Sequence, residues 1–309
     1  MTSTEFVWDE AEMQSVAIEP PVRRGGRRAS GLRAQVSQLG LEQGRRYELT
    51  RGFGQGSGVV FGPENDGFTH GNFVEASYRR ILANPEWKRR LTKAHSAKRK
   101  ARPTGPDELI RDWRELDAAT SSDALLMNVF CYPKVWTAEL SKLLGVEAGL
   151  EVEFGVRSTA PLWGGLVNCT EIDMRVGDLL AEAKLTEADF QFGALRLVER
   201  CVAFDEVFDR DLLEVTRRGV RSYQLVRGVL AAHAMGARYC VLCDERRTDL
   251  VEDWFQVIRA VRSFELQARL RLVTWQEIAA CVPKGLREFL DRKYGIGTLK
   301  SMPQILSGS

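Results

Sequence analysis

Between Thr170 and Leu185 two runs of alternating residues, Glu171-Ile172-Asp173-Met174-Arg175-Val176 and Leu179-Leu180-Ala181-Glu182-Ala183-Lys184, are separated by Gly177-Asp178 alone. This constrains the fold more than any other stretch of the chain. A Gly-Asp pair suits a type II′ or I′ turn, so the runs are expected to form an antiparallel hairpin. A two-residue turn fixes the register: Val176 faces Leu179, Met174 faces Ala181 and Ile172 faces Ala183. The same counting sets Asp173 opposite Glu182 and Glu171 opposite Lys184. Side chains alternate along a strand, so Ile172, Met174, Val176, Leu179, Ala181 and Ala183 share one face. Glu171, Asp173, Arg175, Leu180, Glu182 and Lys184 share the other.

Opposed Cβ atoms in such a pair lie about 4.5–5.5 Å apart, close enough for Asp173 and Glu182 to share a divalent cation. Without a counter-ion, facing acids are destabilising, although Arg175 or Lys184 could offset part of that cost. Hard oxygen donors suit Mg²⁺, which keeps several waters when one or two carboxylates hold it. Bound water becomes a stronger nucleophile, and the cation neutralises charge on a phosphate oxygen. Lys184, on the face of Glu182, could orient the water or steady the transition state. Taken alone, the Asp-x8-Glu-x-Lys spacing also suits an ordinary solvated strand face.

The surrounding pattern is an ordered alternation. Helices are expected at about 72–84, 84–102, 107–117, 123–131 and 136–144, the last stopped by Gly145. Strands follow at 150–156, 170–176 and 179–185, then a helix at 222–234, a strand at 238–243, a helix at 250–261, a strand at 270–274 and a helix from 275 to about 293. Hairpins joined to strand-helix-strand units predict an α/β fold whose mixed central sheet is flanked by helices.

Here the sequence resembles the PD-(D/E)XK nuclease superfamily, the restriction-endonuclease-like fold with an αβββαβ core. The matching residues are Asp173 on one strand and Glu182-Ala183-Lys184 on its antiparallel neighbour, with Glu171-Ile172-Asp173 in place of the Pro-Asp of the name. Segments such as Asn84-Pro85-Glu86-Trp87, Ser121-Ser122-Asp123-Ala124-Leu125 and Tyr223-Gln224-Leu225 look like a bacterial branch of that superfamily. The resemblance covers roughly residues 72–295. It implies Mg²⁺, with Mn²⁺ as a substitute, held by Asp173, Glu182 and the Ala183 carbonyl, and Lys184 beside the attacking water. It also implies accessory roles for Gln224 and for Glu171, either as a second acid or as a partner of Lys184. The first core helix carries no Glu between 121 and 131, only Asp123 and Asn128 as polar options.

Charge is unevenly spread. The net charge is +2, yet residues 1–105 hold 18 Lys/Arg against 11 Asp/Glu while residues 106–309 hold 26 against 31. That asymmetry points to a polyanion met by the N-terminal part. Lys88, Arg89, Arg90, Lys98, Arg99 and Lys100 are the expected phosphate contacts, although a solvated helix face accounts for them equally well. The expected organisation is a flexible basic and glycine-rich arm at 1–67, a helical basic extension at 68–106, the nuclease-like domain at 107–295 and a tail at 296–309. The run Gly52-Phe53-Gly54-Gln55-Gly56-Ser57-Gly58 lacks the Lys-Ser/Thr ending of a Walker loop and reads as a linker.

Six scattered cysteines in a long chain suit reduced thiols. Cys240 and Cys243 form a CxxC inside an apolar strand, where residues three apart point to opposite faces. With only His70, His95 and His233, a multi-histidine metal centre is poorly supported. Trp113, Trp136, Trp163, Trp254 and Trp275 could stack on bases, but their spacing fits core filling better. No apolar run approaches the ~18 residues of a membrane span. The acidic N-terminus lacks the form of a signal peptide, so a cytoplasmic location is expected.

The expected function is Mg²⁺-dependent phosphodiester hydrolysis, in DNA before RNA, by a protein compatible with a homodimer. Two other classes stay open. One is a non-catalytic nucleic-acid-binding or scaffold protein on the same fold, and the other a metal-dependent hydrolase of another phosphoester.

Overall fold

A computed structural model describes residues 26–45, 47–52, 56–95, 114–217 and 219–297. The chain divides into two units, residues 31–150 with 273–309 and residues 1–30 with 151–272. Each unit is built from two separate stretches of chain.

In the first unit, part of the stretch expected as a loose arm is folded. A helix spans Gly26–Glu42, and strands β1 (Tyr47–Gly52) and β2 (Gly56–Phe61) pair antiparallel. The helix buries Ala29, Leu32 and Val36, a stripe at helical spacing but too sparse to stand out among polar neighbours. Gly52 pairs with Gly56, so the glycine run closes a hairpin; residues 53–55 lie outside the described residues. Val59, Phe61 and Ala119 form a small core with Leu41 against it.

Helices Glu75–Ala83, Pro85–Arg90, Ser122–Phe130 and Ala138–Leu144 follow the expected order. Local chemistry sets their ends. The Asn84 side chain accepts from the Glu86 and Trp87 amides, with Pro85 at the first helical position. Ser121 and Thr137 cap the next two helices in the same manner. Of the helix expected at 107–117, only a short 3₁₀ turn, Glu115–Asp117, lies among the described residues. The expected helix from 275 onward splits into Trp275–Cys281 and Lys284–Tyr294 at Pro283, whose ring cannot continue a helix.

The second unit holds the main sheet. Its strands are β3 (Val152–Arg157), β4 (Ala160–Pro161), β5 (Val167–Asn168), β6 (Glu171–Val176), β7 (Leu179–Ala183), β8 (Phe192–Gly193), β9 (Val215–Thr216), β10 (Gly219–Arg221), β11 (Arg238–Cys243) and β12 (Leu270–Thr274). The five-stranded sheet runs β12-β11-β7-β6-β3. β6 is antiparallel to both β3 and β7, while β7 is parallel to β11, so the sheet is mixed as expected. Every residue of β7 is buried, which requires cover on both faces. On one face Leu180, Tyr239, Val241 and Cys243 join a core with Leu225, Val226 and Val229 of the helix Tyr223–Ala234, and with Leu250, Trp254 and Val257 of Thr248–Arg259. Between β7 and β11 the chain adds a three-stranded sheet, β8-β10-β9, and short helices that the sequence pattern did not reveal.

All six cysteines are free. Cys240 and Cys243 are both buried, with Cys243 in the core just described. No helix among the described residues is long and apolar enough to cross a membrane.

Candidate active site

The Gly177-Asp178 turn forms as its chemistry requires: Gly177 takes φ 58° and Asp178 is not among the residues of positive φ, the φ pattern of a type II′ turn. Beyond it Val176 pairs with Leu179, Arg175 with Leu180 and Met174 with Ala181, the register counted from the sequence. The ladder then stops. Regular pairing would send the Ala183 amide to the Ile172 carbonyl, but it donates instead to Asp173 Oδ2 at 2.8 Å. The expected pairs Asp173–Glu182 and Glu171–Lys184 are therefore not rungs of the ladder. Asp173 is instead held by its own side chain against the backbone between Glu182 and Lys184.

The other neighbour of β6 is irregular at the same place. β3 and β6 pair from Val152–Val176 to Arg157–Glu171, and the position skipped is Gly155, which stands opposite Asp173. Gly155 has φ 66°, a conformation that side-chain-bearing residues rarely adopt within a strand. A left-handed glycine on one side and a broken ladder on the other leave Asp173 half-buried, between fully buried Ile172 and Met174.

Glu182 on β7 and Lys184 just past its end project to one face, and Lys184 Nζ donates to Glu182 Oε1 at 2.6 Å. Burial opposes a charge on Lys184, but the carboxylates of Glu182, Glu187 and Asp173 outweigh it and hold the ammonium well above its usual range. Lys184 is thus a permanent cation rather than a base. The centre of the Phe190 ring lies 5.7 Å from Nζ.

Phe190 also ties in the next helix, because its carbonyl accepts from the Gln224 amide at 3.0 Å. The Gln224 side-chain oxygen is buried without a hydrogen-bond partner among the described residues, and so is the Tyr239 hydroxyl. Tyr239 pairs with Leu180, two residues before the Glu182 partner Val241, and therefore shares the Glu182 face. Burial, then the charges of Glu182 and Asp173, push its phenol far above the ordinary range, so it stays neutral. Gly228, one turn after Gln224, makes room for that ring: a Cβ there would overlap Tyr239 Cζ and Oη. Phe190 and Tyr239 were missed in the sequence, where Tyr239 reads as part of an apolar buried strand.

The loop after Lys184 is fixed from behind. Arg247, fully buried, donates to the carbonyls of Glu187 (2.6 Å) and Ala188 (3.2 Å) and forms a two-point ion pair with Asp249. Glu187 accepts from the Leu185 amide and Asp189 from the Gln191 amide, so both acids shape turns.

Glu171 starts β6, half-buried and in register with Arg157. In the other unit, Lys88 and Arg89 are exposed, with Arg89 paired to Glu86. Arg90 departs from the expected basic surface. It is turned inward, 11% exposed, and bonded to Asp123 at 2.8 Å, where Lys93 also binds at 3.1 Å. Burial would raise the Asp123 carboxyl, yet Lys93 and Arg90 hold it below its usual range. Lys98, Arg99 and Lys100 lie outside the described residues. No group of three or more His, Cys, Asp and Glu side chains placed to hold a metal occurs among the described residues; Asp173 accepts from the Ala183 amide and Glu182 from Lys184.

A mixed sheet flanked by helices, with an acid beside a Glu-x-Lys on the antiparallel neighbour, defines a restriction-endonuclease-like protein. The chain belongs to the nuclease family described as restriction endonuclease associating with ARP, whose model matches residues 44–295. No curated protein and no solved structure matches it.

Proposed function

We propose that the chain is a metal-dependent nuclease that hydrolyses phosphodiester bonds, in DNA before RNA, using Asp173, Glu182 and Lys184. The observation that supports this is the Asp173 carboxylate seated on the Ala183 amide, beside the Glu182–Lys184 pair. A buried lysine and two acids arranged by a broken ladder are more than a stable strand pair needs.

The donor chemistry fits a hard divalent cation. Asp173, Glu182 and the Ala183 carbonyl are oxygen donors, and Mg²⁺, or Mn²⁺ in its place, needs only one or two carboxylates from the protein. Bound there, the cation supplies an acidified water and neutralises charge on the scissile phosphate. The chain's own residues do the rest. Lys184, charged at any physiological pH, presents its ammonium to an attacking water or a phosphate oxygen. Phe190 shields the ammonium from bulk solvent, which strengthens those bonds. Gln224, its side-chain oxygen without a hydrogen-bond partner among the described residues, and Glu171 at the start of β6 are the accessory groups.

Lys88 and Arg89, together with Lys98, Arg99 and Lys100, are assigned to the phosphate backbone. The family's description adds association with ARP as a second partner, and a cytoplasmic location goes with this reading.

The test is cleavage of plasmid, linear duplex and single-stranded substrates with Mg²⁺, Mn²⁺ or chelator. Asp173→Ala and Lys184→Ala should each abolish metal-dependent cleavage; unchanged cleavage by both removes the site. The burial of both Glu182 and Lys184, 4% and 5% exposed, favours one competing reading, an idle ion pair in a non-catalytic binding protein. Titration separates the two, since an idle pair shows no specific Mn²⁺ binding that Asp173→Ala removes.

A further inference from the structure

β3 and β6 do not end at the sheet. Beyond Arg157 and Glu171 the same two chains continue as the β4–β5 ribbon, joined by bonds from the Ser158 amide to the Thr170 carbonyl and from Ser158 Oγ to the Asn168 carbonyl, each 2.8 Å. The ribbon therefore leaves the sheet at the end where Glu171 and Asp173 lie. Its tip is Trp163-Gly164-Gly165.

This tip is braced rather than loose. The Leu162 amide donates to the Leu166 carbonyl, the Trp163 amide to the Arg200 carbonyl and the Val202 amide to the Pro161 carbonyl, at 2.8, 2.9 and 3.1 Å. Leu162 packs against the core of the unit. Alternation then turns Pro161 and Trp163 outward, beside Val167, which pairs with Pro161. Trp163 is 63% exposed, Val167 50% and Val202 42%. A rigid apolar strip with a tryptophan at its head, left in water, is a binding surface by its energetics.

Its surroundings favour a polyanion as the occupant. Residues 154–170 contain no acid, and exposed Arg157 ends β3 just before the ribbon. Half-buried Arg200 accepts from the Trp163 amide through its carbonyl, and nearby Glu199 and Asp205 are both paired with Arg210. Trp163 lies about eight extended residues from Asp173, at most roughly 26 Å. A bound strand spans that distance in about eight steps of 3.4 Å. An indole stacks on the face of a base, and that face is open only where a nucleotide is unpaired.

We propose that the Trp163 ribbon is a stacking platform for unpaired nucleotides, so that the substrate class is single-stranded or partly unwound nucleic acid. This rests on the nuclease reading for its substrate but not for its test. Binding is measured by anisotropy on the full chain carrying Asp173→Asn, with a labelled single-stranded oligonucleotide and the blunt duplex of the same sequence. Trp163→Ala weakens single-strand binding by roughly five- to a hundred-fold and duplex binding by less than about twofold, and Trp163→Phe restores most of the loss. Equal loss on both substrates, or intact single-strand binding by Trp163→Ala, overturns the proposal while leaving the nuclease reading in place. Dissociation of an oligomer by Trp163→Ala, seen by sedimentation, overturns it in favour of a protein interface. Failure of the parent protein to bind either nucleic acid overturns both readings.

Discussion

Lys184 Nζ lies 2.6 Å from Glu182 Oε1, with each side chain only 6% exposed. A pair so buried is costly to break from one side, because the abandoned charge stays in a medium that solvates it poorly. Lys184→Met is therefore expected to lower stability by about 3 kcal/mol, whereas Lys184→Met with Glu182→Gln loses much less. Neither protein should cleave. Urea unfolding and cleavage measured on the same preparations check this, and a double variant that is stable and active would disprove the roles given to both residues.

Gly155 stands opposite Asp173 with φ 66°. Any side chain there meets the left-handed penalty of roughly 1–2 kcal/mol, or forces β3 into regular pairing at Asp173. Gly155→Ala is expected to cost about 1 kcal/mol of stability but a far larger factor in kcat, since relaxing the kink reseats the carboxylate. Activity that falls only in proportion to the unfolded fraction would show that the kink does not position Asp173.

Exposed Lys88 and Arg89 sit on the Pro85–Arg90 helix, while Arg90 is committed to Asp123. Replacing Lys88 and Arg89 with Gln should weaken DNA binding alike across sequences and reduce the salt slope by about 0.9 for each phosphate no longer neutralised. Arg90→Gln should act differently. Among the described residues Asp123 then keeps Lys93 alone, so stability falls while the salt slope is unchanged, which thermal unfolding and salt titration together resolve.

The sequence disclosed what short-range chemistry determines. Gly177-Asp178 fixes its own turn and the first three rungs beyond it, and Arg238–Cys243 reads as a strand from its apolar run alone. What escaped depends on partners far along the chain. The ladder ends after Met174 because Asp173 takes the Ala183 amide opposite a glycine in β3, and neither residue announces this locally. Tyr239 reads as core because it is core, and Phe190 follows a run with no strand or helix period; their place beside Glu182 and Lys184 comes from strand order and a loop. Arg90 looked like surface because Asp123 is 33 residues away. The Gly26–Glu42 helix buries too few apolar residues to show a period.

Lys293 gives the clearest pH dependence. Its side chain is fully buried and its Nζ has no hydrogen-bond partner among the described residues, lying instead 4.6 Å from the Phe61 ring centre and 5.2 Å from that of Tyr294. Burial pulls the ammonium down from 10.5 to about 7. The unfolded chain then binds more protons than the folded one between those values, so stability rises with pH across that window and is flat below it. At neutral pH the group still costs on the order of 4 kcal/mol, which the two aromatic faces offset only in part. Lys293→Met, of similar length and without the charge, should raise the urea midpoint near pH 7 and remove the slope between about 7 and 10.5. The difference between the two proteins isolates Lys293 from other groups titrating in the same range. Parallel pH profiles with a constant offset would show that the amine is not held in this environment.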